Sequence, residues 1–186
     1  MKFYKQKIPG VFLIEAEPFK DSRGMFFRHF CKKEFESNGL EARILQTNVS
    51  QNSKSHTLRG MHYQLKPYSE HKTMLCISGA IYDIIVDLRP DSATFLKWIS
   101  VELNAEEPVS LHLPAGCANG YLTLKDDTSI LYYMSEYYVP EAYKGLRYND
   151  PMFKFTWPVE PRVISEKDRS YPDFDPQIVS KAKNTF

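Results

Sequence analysis

The strongest constraint on the fold is alternation with a period of two through the middle of the chain. From Ala80 to Leu88 the even positions are apolar or aromatic (Ala80, Tyr82, Ile84, Val86, Leu88), while Asp83 and Asp87 fall on the odd positions. Successive side chains of a strand point to opposite faces, so this pattern describes a strand with two different faces. Ser78-Gly79 is a hairpin signal joining it to Thr73–Ile77. The same alternation recurs at Ile99, Val101 and Leu103, at Val109, Leu111 and Leu113, and at Ile130, Tyr132 and Met134. Short strands separated by Pro, Gly, Asn and Asp clusters predict a sandwich or barrel, and the expectation is an all-β jelly roll. Helical signals are sparse: Lys32 to Asn38, ended by Gly39, and the tail from Pro176 onward. The proline-rich stretch from Pro151 to Pro176 reads as an irregular arm laid over the barrel.

A chain of 186 residues is ordinarily one domain, taken here as 1–186. Net charge is +1, which excludes the overall electrostatic footprint of a nucleic-acid binder. No stretch approaches the roughly 20 apolar residues that span a bilayer, and no apolar run of signal-peptide length follows Met1. Cys31, Cys76 and Cys117 are widely spaced and form no CxxC pair, arguing for a reducing, cytoplasmic compartment. Aromatics reach 14%; they favour strands and also line pockets for flat ligands.

Polar chemistry concentrates at Leu58-Arg59-Gly60-Met61-His62-Tyr63-Gln64. Arg59 and His62 are three apart, an odd offset that puts them on opposite faces of a regular strand. Gly60 is a plausible site for a bulge that would bring them together. Asp21-Ser22-Arg23-Gly24 is turn-like, Gln46-Thr47-Asn48 precedes the histidine motif, and Lys72 follows it. Arginine suits bidentate phosphate contacts and lysine supplies a point charge; each, taken alone, reads as a solvated surface charge. The five histidines (His29, His56, His62, His71, His112) contain no His-x-His pair, so no metal site is expected.

In order along the chain stand Asp-x-Arg-Gly at 21–24, Gln-x-Asn at 46–48, Leu-Arg-Gly-Met-His-Tyr-Gln at 58–64 and Gly79 with Val-Asp-Leu-Arg at 86–89. Leu-Pro-Ala-Gly at 113–116, Tyr-Tyr at 137–138, Asn-Asp-Pro at 149–151, Trp-Pro at 157–158 and Ser-x-Lys-Asp at 165–168 follow. Each motif alone is weak, but their order and spacing resemble the dTDP-4-dehydrorhamnose 3,5-epimerases, from about Gly10 to Asp173. The resemblance implies a cupin-like jelly roll (double-stranded β-helix), a homodimer and no cofactor or metal. It also implies epimerisation at C-3, C-5 or both of a nucleotide-diphosphate-linked 4-keto sugar, in deoxy-sugar or heptose biosynthesis for surface polysaccharide.

By the same resemblance, His62 is the base, Tyr132 the acid on the opposite face of the sugar, and Asp168 the residue that orients His62. Lys72 would stabilise the enolate oxygen. Arg23, Arg59, Gln46, Asn48, Tyr138 and Lys167 would lie near the ligand. Three positions depart from the family pattern. Family members usually carry histidine where this chain has Asn119, which can hydrogen-bond but cannot carry a proton at neutral pH. Ligand-contacting glutamates of the family correspond here to Arg28 and Tyr143. The departures leave open whether one or two centres are inverted, and whether the nucleotide is thymidine, guanosine or cytidine. Two further readings stand beside the epimerase: a sugar-nucleotide 3,4-ketoisomerase and a non-catalytic sugar-nucleotide-binding protein.

Overall fold

A computed structural model describes residues 1–181. The strands are β1 (Lys2–Lys5), β2 (Phe12–Glu15), β3 (Phe19–Asp21), β4 (Gly24–Phe26), β5 (Gln46–Asn52), β6 (Thr57–Gln64), β7 (Lys72–Ser78), β8 (Ala80–Asp87), β9 (Trp98–Asn104), β10 (Val109–Leu113), β11 (Cys117–Thr123), β12 (Thr128–Met134), β13 (Tyr143–Gly145) and β14 (Val163–Ile164). The helices α1 (Lys32–Ser37), α2 (Glu166–Arg169) and α3 (Gln177–Lys181) are all short. One sheet runs β1-β2-β10-β7-β12-β5, and the facing sheet runs β13-β6-β11-β8-β9, with β14 added in parallel to β6. Strands β3 and β4 form a separate hairpin. This is the expected jelly roll, and the strands read from alternation are all present. The helix expected from Pro176 onward is α3, and the part of that expectation past Lys181 lies outside the described residues. Among the described residues no helix is long and apolar enough to cross a membrane.

Three apolar clusters hold these layers. Between the sheets, Met74, Ile81, Ile85, Leu103, Leu111, Leu113 and Ile130 pack together with Tyr121. Outside the second sheet, Phe153, Phe155, Trp157, Phe174 and Val179 of the C-terminal arm lie against Met61, Ile84, Val86 and Leu88. Outside the first sheet, Phe35 is completely buried with Phe12, Ile14 and Leu40. A helix as short as α1 has little stability of its own, so Phe35 packing holds it in place.

The arm changes the meaning of the alternation in β8. Its even face (Ile84, Val86) is covered by the arm and its odd face (Ile81, Ile85) by the other sheet, so both faces are buried. Asp83 and Asp87, which alternation assigns to a polar face, have no exposed surface at all. Asp87 is held by the Arg89 guanidinium and the Thr94 hydroxyl. β11 is buried at every position, and it was not read from sequence because alternation disappears when both faces are covered.

Buried histidines make one stability prediction. His112 is 2% exposed, its Nδ1 lies 2.9 Å from the Thr73 hydroxyl, and burial, aided by neighbouring His71, pushes it down to about 3. Burial likewise pushes His29 down to about 4. A neutral folded histidine with a depressed pKa costs nothing above its unfolded value near 6.5. Below that pH the unfolded chain gains a proton that the folded chain refuses, and stability falls by about 1.4 kcal/mol per pH unit per histidine. His112→Gln removes one such term. Its stability deficit against wild type is expected to shrink steadily from pH 6.5 to pH 4, as measured by urea unfolding. A deficit independent of pH would contradict the assignment.

Candidate active site

Where β5, β6, β7, β11 and β12 meet, the interior is not filled by apolar side chains but encloses a cavity of about 640 Å³. A bulge in β6 makes its chemistry. Tyr121 pairs with Arg59 and Asn119 with His62, so three steps along β6 oppose two along β11. The extra residue cancels the odd offset, and Arg59 and His62 both line the cavity. Gly60 permits this by its positive φ of 109° and by its closeness to β11. A Cβ at Gly60 would sit 2.6 Å from the Gly120 Cα and 2.8 Å from the Asn119 carbonyl oxygen.

Asp168 reaches His62 from the C-terminal arm. Ser165 caps α2, accepting from the Asp168 N–H at 3.0 Å. This fixes a carboxylate whose Oδ1 lies 2.7 Å from His62 Nε2. Its Oδ2 accepts from the Gly60 N–H at 3.3 Å. Burial alone would raise the Asp168 carboxyl, but the hydrogen bond and charge of His62, with the Gly60 and Ser165 contacts, hold it below the ordinary value. An ionised Asp168 selects the imidazole tautomer protonated at Nε2 and leaves Nδ1 as the basic nitrogen.

Tyr132 enters from the facing sheet, on β12, where it is the register partner of Asn48 and Met74. Burial raises its phenol above the ordinary value, with Arg59 opposing, so it keeps its proton at neutral pH. Lys72 projects from β7 and is 11% exposed at the side chain. Its ammonium lies 3.1 Å from Glu70 Oε1, 3.3 Å from Asn119 Oδ1 and 3.5 Å from the His62 carbonyl oxygen.

The rim is aromatic and basic. Tyr143 lies 5.0 Å from the His62 ring and 5.1 Å from Tyr138, and the Lys167 ammonium sits 4.5 Å over its face. Gln46 accepts from the Tyr138 N–H at 2.6 Å, and Arg59 is braced by Asn52 at 2.7 Å. Arg59, Lys72 and Lys167 against the single carboxylate Asp168 give the cavity lining a positive balance suited to a diphosphate.

Of the residues expected at the site, His62, Tyr132, Asp168, Lys72, Gln46, Asn48, Arg59, Asn119, Tyr138, Tyr143 and Lys167 all line this cavity. Arg23 and Arg28 do not. Arg23 is 85% exposed in the β3–β4 turn, paired with Asp21, and Arg28 is paired with Glu34. Ser50, Met74, Tyr121 and Met134 also line the cavity. Period two would have found Ser50, Met74 and Met134, which continue the inward faces of Asn48, Lys72 and Tyr132. Nothing local marks Asp83, which touches the site only through Asn119. Among the described residues no group of three or more His, Cys, Asp or Glu side chains is arranged to hold a metal ion.

Comparison with known proteins places these features among relatives. The family model described as dTDP-4-dehydrorhamnose 3,5-epimerase matches residues 5–176. A dTDP-4-dehydrorhamnose 3,5-epimerase of Sinorhizobium fredii is 40% identical over 173 residues, covering 92% of this chain and 89% of the relative. The crystal structure of the Bacillus anthracis dTDP-4-dehydrorhamnose 3,5-epimerase with TDP and PPi bound superimposes with a TM-score of 0.90 at 36% identity, over 93% of this chain and 99% of the other. That of a dTDP-6-deoxy-D-glucose-3,5-epimerase from Legionella pneumophila, in complex with dTDP-4-keto-L-rhamnose, gives a TM-score of 0.86 at 31% identity, over 91% and 90% of the two chains.

Proposed function

Since the chain belongs to the dTDP-4-dehydrorhamnose 3,5-epimerase family and is therefore an isomerase of nucleotide sugars, we propose that it epimerises a nucleotide-diphosphate-linked 4-keto sugar through an enolate, with His62 as base and Tyr132 as acid. The observation that carries this reading is the placement of the pair. A histidine with an ionised carboxylate on Nε2 lies on one sheet, and a neutral phenol lies on the facing sheet, both lining one cavity.

The chemistry follows from the substrate class. A 4-keto group acidifies the C–H bonds at C-3 and C-5. His62 Nδ1 takes that proton, the C–H electron pair becomes the enolate double bond, and the carbonyl pair moves onto oxygen. Lys72, already in the cavity, stabilises the oxyanion, at the expense of its longest hydrogen bond, to the His62 carbonyl. Tyr132 then delivers its proton to the opposite face of the carbon, which inverts it. Exchange with solvent returns the imidazolium and the tyrosinate to their starting states. The step is redox-neutral and uses only these side chains. Arg59 and Lys167 hold the diphosphate and Tyr138 and Tyr143 the flat parts of the ligand. Arg23 and Arg28 stand outside this chain's cavity, which favours a homodimer in which the hairpin serves a second copy. The protein works in the cytoplasm, in sugar-nucleotide biosynthesis for surface polysaccharide.

A single-centre epimerase is the second reading, favoured by Asn119, an amide that cannot exchange a proton with substrate. Proton NMR in deuterated water, with 4-keto sugars on thymidine, guanosine and cytidine diphosphates, separates the readings. Deuterium at both C-3 and C-5 with inverted products identifies a double epimerase, and deuterium at one carbon identifies a single-centre enzyme. A constitutional isomer as product would replace both readings with a ketoisomerase. No exchange with any of these sugars would leave a binding protein.

Tyr132→Phe removes the donor but not the base. Deuterium exchange at the acidified carbon is expected to persist while inversion falls by about 10²-fold or more. Equal loss of the two would show that acid and base do not act separately.

A further inference from the structure

Behind the cavity wall a line of buried polar groups ends at a carboxyl with no charged partner in hydrogen-bonding reach among the described residues. Asp83, on β8, has no exposed surface. Its Oδ2 and Oδ1 lie 3.1 Å and 3.4 Å from Asn119 Nδ2, which also lies 3.2 Å from the Met74 sulfur. The other end of the same amide, Asn119 Oδ1, accepts from the Lys72 ammonium at 3.3 Å. Lys72 continues to Glu70, which accepts from Gln64 Nε2 at 3.2 Å. Glu70, Asp83 and Asn119 are all almost wholly buried.

A primary amide has two ends of nearly equal shape and opposite polarity. Turned around, Asn119 would present its NH₂ to an ammonium and its oxygen to a carboxyl, two repulsive contacts where little solvent screens them. Asp83 therefore decides which end faces Lys72. We propose that Asp83 is a positioning residue that fixes the orientation of the Asn119 amide and, through its carbonyl oxygen, holds the Lys72 ammonium at the place where the enolate oxygen forms. The role of Lys72 in this inference rests on the function proposed above; the orientation of the amide does not.

Burial pushes the Asp83 carboxyl up to about 8, with Asn119 and Lys72 opposing. The carboxylate only accepts, so it is the form that selects the orientation; a protonated carboxyl can also donate to the amide oxygen, and the hold on Asn119 is expected to loosen as the pH falls below that value. A histidine at position 119 could satisfy its neighbours by changing tautomer. An asparagine must be turned the right way by a neighbour, and Asp83 is the group in contact with its Nδ2 that can do so.

Three variants test this. In Asp83→Asn the carboxamide offers Asn119 a donor as readily as an acceptor, and kcat is expected to drop by about 10- to 100-fold with KM within about threefold. The exchange Asp83→Asn with Asn119→Asp re-creates the polarity in another form. A carboxamide at 83 donates to a carboxylate at 119, whose second oxygen accepts from Lys72, and at least tenfold of the lost kcat is expected to return. In an Asn119→Ala background Asp83→Asn is expected to change kcat less than twofold, because the amide that relays the effect is gone. A single variant with wild-type kcat, or an exchange no better than the single variant, overturns the proposal.

The orientation is also read without turnover. In wild type the Asn119 side-chain NH₂ is expected to exchange slowly with solvent by ¹⁵N NMR, and Asp83→Asn to accelerate that exchange at least tenfold. If wild type turns over no sugar but this acceleration is seen, the functional reading fails and the orientation stands. An unchanged exchange rate sinks the orientation, whatever the enzyme does.

Discussion

His62→Ala is expected to lower kcat/KM by about 10²- to 10⁴-fold, the contribution of a positioned general base, while leaving the thermal midpoint close to that of wild type. The separation of the two effects follows from where the side chain sits. His62 faces a cavity and keeps 23% of its side-chain surface exposed, so its removal enlarges a space already open to ligand and opens no void among the apolar clusters. Gly60 and Met61, which form the bulge, are untouched, and Asp168 retains the Gly60 N–H and its place behind the Ser165 cap. Affinity for the nucleoside diphosphate should therefore persist, since Arg59 and Lys167 remain. Steady-state kinetics, differential scanning calorimetry and titration with whichever of dTDP, GDP and CDP binds wild type check the three parts of this expectation. Activity within tenfold of wild type would remove His62 from its assigned role.

Asp168→Asn is expected to cost about 10²- to 10⁴-fold in kcat with no change in side-chain volume. The carboxylate does two things that an amide cannot. It accepts only, so it forces the proton onto His62 Nε2, 2.7 Å away, and leaves Nδ1 free. In the mechanism proposed above it also carries the negative charge that stabilises the imidazolium formed when the substrate proton arrives. A carboxamide can turn its NH₂ toward Nε2 and select the opposite tautomer, with the proton on the nitrogen that must act as base. The loss should appear in the rate of deuterium incorporation as well as in inversion, because both need the base. That pattern distinguishes it from Tyr132→Phe, in which exchange outlasts inversion. An Asp168→Asn enzyme with full exchange but defective inversion would mean that Asp168 serves the acid instead.

Much of the site was legible in the chain. The inward faces of β5, β7 and β12 follow from alternation through Gln46 and Asn48, Lys72 and Tyr132, and these four residues line the cavity. The role of Gly60 followed from a contradiction: Arg59 and His62 could act together only if the strand gained a residue between them, and glycine is the residue that tolerates the required approach. Other positions were not legible. Arg23 and Arg28 belong to motifs resembling ligand contacts, yet they lie outside this chain's cavity, because a motif records a residue's neighbours in sequence and not the direction in which its hairpin projects. Alternation marks Asp83 only as a residue on the odd face of a two-faced strand, and only the packing of β11 beside β8 brings it to Asn119.

The sequence by itself determined the alternating strands, the need for a bulge at Gly60 if Arg59 and His62 are to face one way and, through the order of its motifs, the family; base, acid and orienting carboxylate are roles that the resemblance suggests for His62, Tyr132 and Asp168. Local sterics and the two-residue repeat of a strand act between near neighbours, so they can be read from near neighbours. The tertiary structure alone decided which faces became buried on both sides and which way the Asn119 amide points. It also decided how Asp168 arrives at His62 across a sequence separation of 106 residues. Alternation specifies a side for each residue but not the strand, arm or helix that will cover that side. Those partners are chosen by long-range packing, in which the C-terminal arm, the second sheet and the short helix α2 must all be in place before the polar groups of the cavity meet.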